Sequence, residues 1–487
     1  MKNILYSLIL ISFLGISPLA GFSQPTWKKT FGGLNDDEGY SVHQTFDGGY
    51  IITGFISPAN SWNSDVWLIR TDNNGDTLWT NTFGGPNNDT GIDVKQTTDN
   101  GFIITGNTSS YGEGGFDVWL IKTNANGDSL WSNTFGGAYN EFGNSVIQTA
   151  DNGYVVIGST DSYGSGNSDF WMIKTNSAGD SLWSKTYGGA YNDIAFSGEQ
   201  TSDGGFALTG YTQPAGFTNA DVWLVKTDHL GEIEWSQTYG GNLNELAYSV
   251  QQTYDEGYII TGYTNSFGAG NQDVYLIKTD MFGDTLWTRT FGGASNDVGN
   301  CVIETAESDF LVCGFNFSLS PDGDPDLWLI KTDISGDTLW TKTYGGSGTE
   351  VGRYLEETFD GGLIVSGFTS SYGAGGTDIW LLKLDFAGQT GVQDNTFTYG
   401  VNFGLEQNFP NPFNSKTTID YSIPESGYVS LNVYDLSGRL VANVIDTYKP
   451  AGNYSTNFNG EDLRGGIYYC CLHTSKYRSV KKMVRIQ

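Results

Sequence analysis

Seven acids recur at one register of the chain: Asp37, Asp89, Glu141, Asp193, Glu245, Asp297 and Glu350. Like charges brought together in a ring repel. Such acids must therefore accept hydrogen bonds from the glycine-rich backbone beside them, or attract cations and polar ligands. A second loop set supplies Trp62, Tyr111, Tyr163, Phe267 and Tyr372, mostly beside Ser and Gly. Exposed rings near Asn and Asp suit stacking on sugars; the competing reading is that they pack the loops. One loop, Ser320-Pro321-Asp322-Gly323-Asp324-Pro325-Asp326, carries an extra residue. Asp322, Asp324 and Asp326, at alternate positions, could converge on calcium, or form an acidic solvent-facing loop.

Covalent and acid–base chemistry is poorly served. His43, His229 and His473 are the only histidines. They are scattered, so no Ser-His-Asp arrangement and no His/Cys metal spacing arises. Glycosidase action needs two carboxylates at a set separation, and symmetry leaves the rim acids indistinguishable. Binding of a glycan or a surface protein through the rim loops is therefore the leading expectation. A polysaccharide-degrading enzyme using rim carboxylates and a structural surface-layer component are the alternatives. Cys301 and Cys313 fall on neighbouring strands, and a disulfide and two buried thiols both remain open. Cys470 and Cys471 are adjacent in a strand and point to opposite faces.

A repeat positions these residues. The tryptophan of a Trp-x-x-Thr-Phe/Tyr-Gly-Gly phrase stands at Trp27, Trp79, Trp131, Trp183, Trp235, Trp287 and Trp340, in steps of 52 residues with a last step of 53. A second phrase, Asp-Val-Trp-Leu-Ile-Lys-Thr or a close variant, starts at Asp65, Asp117, Asp169, Asp221, Asp273, Asp326 and Asp378. Each period offers four short strands, in the first copy near 40–46, 49–54, 66–71 and 77–83, with turns at Asp47-Gly48-Gly49 and Asp72–Gly75. Lysine replaces Arg70 in every later copy, and its stem is expected to cover apolar surface while the ammonium reaches water. Four antiparallel strands per period make a propeller blade. The leading phrase at Trp27 has no blade of its own, and the last copy lacks a fourth strand. Both oddities vanish if the first strand completes the seventh blade and removes the open edges. An open solenoid is the alternative.

The chain has 487 residues, 67 glycines and a net charge of −30, which disfavours nucleic acid and anionic membranes as partners. From Leu405 onward nine basic and seven acidic residues give +2, leaving −32 for the rest. Residues 1–23 read as a signal peptide, with Lys2 before an apolar run and small residues at its end. No later segment is apolar enough to span a membrane. The expected organisation is a signal peptide at 1–23, a seven-bladed β-propeller at 24–387, a linker at 388–403 and a β-sandwich at 404–487, making the fold all-β.

The phrase from Thr71 to Trp79 resembles the turn-and-tryptophan signature of quinoprotein-type propellers, and residues 27–387 are similar to β-propeller repeats of bacterial and archaeal surface proteins. No cofactor pattern accompanies that likeness. The C-terminal part closely resembles the type A sorting domain of the type IX secretion system of Bacteroidota-like bacteria. The matching pieces are Asn408-Phe409-Pro410-Asn411-Pro412-Phe413-Asn414, Val433-Tyr434-Asp435 with Gly438-Arg439, Gly465-Gly466-Ile467-Tyr468, and the basic end from Lys481-Lys482 to Ile486. The resemblance implies an Ig-like sandwich and a sorting signal that includes Pro410, Asn411, Pro412, Gly438, Arg439, Gly466, Lys481 and Lys482. It also implies secretion machinery at the outer membrane as partner, and a secreted or surface destination after signal-peptide-dependent export. Cys470-Cys471 departs from the residues usual in that strand.

Overall fold

The structure, a computed structural model, describes residues 27–384 except 59–62, 215–218 and 321–322, and residues 404–486 except 406–407, 409, 424–426, 436–438, 450–451, 462 and 475–477. Contacts divide the chain into two units, at Thr390 and Gly391. The expected signal peptide and linker lie outside the described residues.

The first unit is seven four-stranded antiparallel sheets. In the first blade the inner strand is Glu38–Gln44, followed by Tyr50–Ile56, Asp65–Thr71 and the outer strand Thr77–Phe83. The inner strand begins two residues earlier than the hydrophobic pattern suggested. The two middle strands are buried on both faces, because each blade is covered by a neighbour on either side. The outer strand alternates exposed and half-buried residues, as its outward face meets solvent.

The ring closes as the unmatched N-terminal phrase requires. Trp27–Phe31 is the outer strand of the last blade, with Trp27 opposite Lys383 and Phe31 opposite Ile379. A tryptophan shows the seam to be an ordinary junction. Trp79, Trp131, Trp235 and Trp287 each pack on a ring of the next blade at 5.7–5.9 Å. Trp27 does the same to Tyr50 at 5.7 Å.

The turn between the first two strands needs a left-handed residue at its third position. Gly48 adopts φ 87°, and Asn100, Asn152, Glu256 and Ser308 hold 61–67° at the same place. The glycine after it is required by contact: a Cβ on Gly101 would stand 2.1 Å from the Thr123 carbonyl oxygen and 2.4 Å from Lys122 Nζ. This corrects the expectation for the repeated lysine. Lys122 is buried, and its ammonium donates to Asp99 Oδ1 at 3.0 Å and to the Thr123 carbonyl at 2.8 Å. The lysine staples the turn instead of reaching water. The same pairing recurs at Lys174–Asp151, Lys226–Asp203, Lys278–Asp255 and Lys383–Asp360.

The second unit is a sandwich. One sheet holds Gly404–Leu405, Lys416–Ile423 and Gly452–Asn459; the other holds Leu440–Lys449, Gly427–Asp435, Gly466–Thr474 and Arg478–Arg485. Its core includes Phe413, Ile419, Leu431, Val433, Leu472 and Met483. The strand Gly452–Asn459 is absent from the sequence reading, because Asn, Ser and Thr fill it and only Tyr454 and Phe458 mark its inward face. Among the described residues no helix is long and apolar enough to cross a membrane.

Candidate functional site

The seven rim acids are drawn inside the blades. Each is at most 1 % exposed. Each accepts a hydrogen bond from the second glycine of the Gly-Gly turn, at 2.6–2.9 Å. The other carboxylate oxygen ties down the loop between the second and third strands. Glu141 Oε1, for example, takes the Thr160 hydroxyl and the Ser162 N–H, both at 3.1 Å. Of the two roles open to these acids, the geometry is that of backbone capping. The aspartates that open the third strands stand against the same turn: a Cβ on Gly136 would meet Asp117 Oδ1 at 1.7 Å and Glu141 Oε2 at 2.5 Å. Burial, and then the Glu141 charge, push Asp117 up to about 6.

The loop rings are also committed. Tyr111, Tyr163 and Tyr372 each donate a hydroxyl to the first glycine's carbonyl at 2.7–2.8 Å. They lie 5.3–5.6 Å from Trp119, Trp171 and Trp380 of their own blades. Phe267 packs on Tyr275 at 5.8 Å. Trp62 and Asp322 lie outside the described residues. Asp326 is buried, its carboxylate against Gly345 beside Glu350, the place its counterparts hold in other blades. Asp324 is exposed in the loop that precedes it. Among the described residues no group of three or more His, Cys, Asp or Glu could hold a metal. Cys301 and Cys313 are free buried thiols directly opposite each other.

A different set of residues converges. Every inner strand carries a β-bulge, with register breaks at 39/41, 91/93, 143/145, 195/197, 247/249, 299/301 and 352/354. The residue left unpaired is Tyr40, Ile92, Asn144, Phe196, Tyr248, Asn300 or Arg353 in turn. A bulge turns a side chain out of the ladder, a device frequent beside active sites. Here all seven line one central cavity of about 820 Å³, a size suited to a small ligand. Asn144 and Asn300 each donate Nδ2 to the next blade's carbonyl at 2.7 Å. Phe196 and Tyr248 lie 5.0 Å apart.

Further along the channel the inner strands present His43, Lys95, Ile147, Glu199, Gln251, Ile303 and Glu356 at one register. Lys95 Nζ lies 2.5 Å from His43 Nε2 and 3.2 Å from the Tyr354 hydroxyl, and His43 Nδ1 lies 2.5 Å from Glu356 Oε2. The network is consistent with Nδ1–H donating to Glu356 and Nε2 accepting from Lys95. Burial and Lys95 oppose a charge on the ring, yet Glu356 and Asp93 outweigh them and raise its pKa; a second proton on Nε2 would displace the Lys95 ammonium. Burial raises Asp93, but Lys95, His43 and the Val146 N–H hold it down to about 2. Glu199 is pushed up to about 7 by burial, against the Gln252 N–H and Lys95. Perturbed groups that line a cavity are candidates for a site. The sequence signal was available: these registers differ from blade to blade while their neighbours repeat.

In the C-terminal unit the dispersed motifs come together. Asn411 Oδ1 accepts the Val484 N–H at 2.7 Å, and its Nδ2 donates to the Lys482 carbonyl at 3.1 Å. The Phe413 N–H donates to the Val484 carbonyl at 2.9 Å, and the Ile486 N–H to the Phe413 carbonyl at 2.8 Å. The Pro410-Asn411-Pro412 opening is thus laced to the final strand that carries Lys481 and Lys482. Gly466 begins the strand beside it, opposite Arg485. Arg439 leads into Leu440–Lys449, and Gly438 lies outside the described residues.

The first unit is therefore a seven-bladed propeller, and the second an Ig-like sandwich with a terminal signal. Residues 407–487 match the secretion system C-terminal sorting domain family. The C-terminal unit is the type IX sorting domain its motifs resemble, which places the protein at the outer surface or in the medium. No curated protein matches the chain. Similar solved structures include Sqt1 from Chaetomium thermophilum, at 11 % identity and TM-score 0.41 over 70 % of this chain and 83 % of that one. A puromycin hydrolase S511A mutant is similar at 10 % identity and TM-score 0.45, over 79 % of this chain and 58 % of that one. Endo-1,5-alpha-L-arabinanase from Thermotoga petrophila follows at 10 % and 0.26, over 70 % and 97 %. At these values the likeness bears on neither fold nor function.

Proposed function

We propose that this chain is an exported binding propeller that takes a small polar ligand, such as a glycan or an exposed group of a surface protein, in its central channel. The supporting observation is the ring of seven bulges, which offer five kinds of side chain to one cavity. A scaffold needs the same residue seven times; a ligand, which lacks sevenfold symmetry, needs different ones. The rim chemistry that repeats is occupied by its own backbone, so the binding role moves from the rim loops to the channel. Residues 1–23 direct the first export step, and the sorting domain delivers the folded propeller to the secretion machinery.

Two experiments test this reading. Screening the mature protein against a glycan array, beside the Asn144→Trp variant that fills the cavity, should show binding that the variant loses. Binding that survives Asn144→Trp in a folded protein would move the site elsewhere. A chain ending at residue 403 should remain inside the envelope while the full chain reaches the surface.

A further inference from the structure

Arg353 is the one charged side chain among the seven bulge residues, and its surroundings suit an incoming carboxylate. Its guanidinium lies 5.3 Å from the Tyr40 ring and 5.5 Å from the Phe368 ring, contacts that hold a planar cation in place. Among the described residues its ion pair is with Glu38 Oε2, at 3.5 Å. That is close enough for attraction but too long for a strong hydrogen bond. Its Nε is buried without a hydrogen-bond partner among the described residues. The side chain is 33 % exposed, so its terminal nitrogens can meet a bound carboxylate from the cavity side.

The opposite wall supplies the rest of a sugar site. Arg353 and Tyr248 line the same cavity. Tyr248 and Phe196 form an aromatic pair at the same register. Asn144 and Asn300, fixed by their bonds to the neighbouring blades, each keep a carbonyl oxygen and an amide hydrogen for a hydroxyl-bearing ligand. Asp93, an acid of the cavity lining, is already engaged by the Ser41 hydroxyl at 2.9 Å and the Val146 N–H at 3.0 Å.

We propose that the channel recognises a carboxylate-bearing sugar, a uronic acid residue, with its carboxylate on the Arg353 guanidinium and its ring against Phe196 and Tyr248. This rests on the channel being the binding site. A carboxylate can take two parallel hydrogen bonds from a guanidinium, and sulfated oligomers separate it from other anions.

The test is calorimetry of the mature protein with oligomers of galacturonate, mannuronate and glucuronate, their neutral counterparts and sulfated counterparts. At least one uronate should bind roughly tenfold or more tighter than its neutral partner. Arg353→Gln should abolish that margin in a protein that still folds; Arg353→Lys should restore part of it. Equal affinity for uronate and neutral sugar, a preference for sulfate, or a margin that survives Arg353→Gln would each overturn the proposal. If the neutral sugars still bind and Asn144→Trp still abolishes that binding, the channel reading stands while the carboxylate proposal falls. Failure to bind any sugar removes the carboxylate proposal and the glycan part of the channel reading together.

Discussion

The rim and the channel of the propeller use the same residue types in opposite ways. On the rim, a carboxylate and a glycine pair repeat in every blade, a loop tyrosine joins them at Tyr111, Tyr163 and Tyr372, and these groups are satisfied by the local backbone. In the channel, one register reads Tyr, Ile, Asn, Phe, Tyr, Asn, Arg, and the groups face a shared cavity. Repetition marks what each blade needs to fold; variation marks what the molecule as a whole presents. Carboxylates alone do not tell the two apart. Glu141 is a fully buried cap, whereas Glu199 lines the cavity with its pKa raised to about 7.

Breaking a rim cap should have the largest effect on the fold. Glu141→Ala leaves the Gly137 and Ser162 amides without their buried acceptor and should cost about 3 kcal/mol in denaturant unfolding, with ligand binding intact. Glu245→Ala and Glu350→Ala, with the same partners, should cost the same; a blade-specific loss of binding would give the rim a function after all. In the channel the balance should invert. Phe196→Ala, at a half-buried bulge, should cost about 1 kcal/mol of stability yet weaken ligand binding roughly tenfold by calorimetry.

The two ends of a blade should also separate by pH. Asp117, raised to about 6 by burial and Glu141, binds its proton more tightly when folded than the ordinary carboxyl at 3.8. It therefore subtracts stability as pH climbs from 3.8 to about 6, and Asp117→Asn should flatten that part of the stability curve. Asp151, held at about 2 by the Thr149 hydroxyl and the Lys174 ammonium against burial, contributes stability above 3.8 that is lost as pH falls toward 2. Asp151→Asn should remove that acid limb. The smallest effect belongs to the turn: Glu256 sits at φ 67°, and Glu256→Gly should stabilise by about 0.5 kcal/mol.

Blade number, strand order and closure were all legible, because a 52-residue register and an unmatched Trp27 phrase leave little freedom. The sorting domain was legible from motifs that the fold then laces together through Asn411 and Phe413. The site was not. The eye goes to what recurs, and the recurring acids and rings are the ones consumed by local bonds. A bulge adds one residue to a strand, and at Tyr40 and Arg353 its sequence mark is only a register that varies from blade to blade, a signal that exact repetition overshadows. The fate of the repeated lysine was equally hidden, since only the register of Lys122 against Gly101 shows that its ammonium stops at Asp99.

The strand Trp27–Phe31 also sets an order of events. Its partner, Asp378–Leu384, is made near the end of the propeller segment, so the circle cannot lock until almost the whole domain has emerged. Joining two stretches so far apart is a slow, entropically costly step. Until it happens, the last blade offers a bare edge to any passing chain. The sorting domain comes next, from Gly404, so synthesis ties the completion of the circle to the arrival of the export tag.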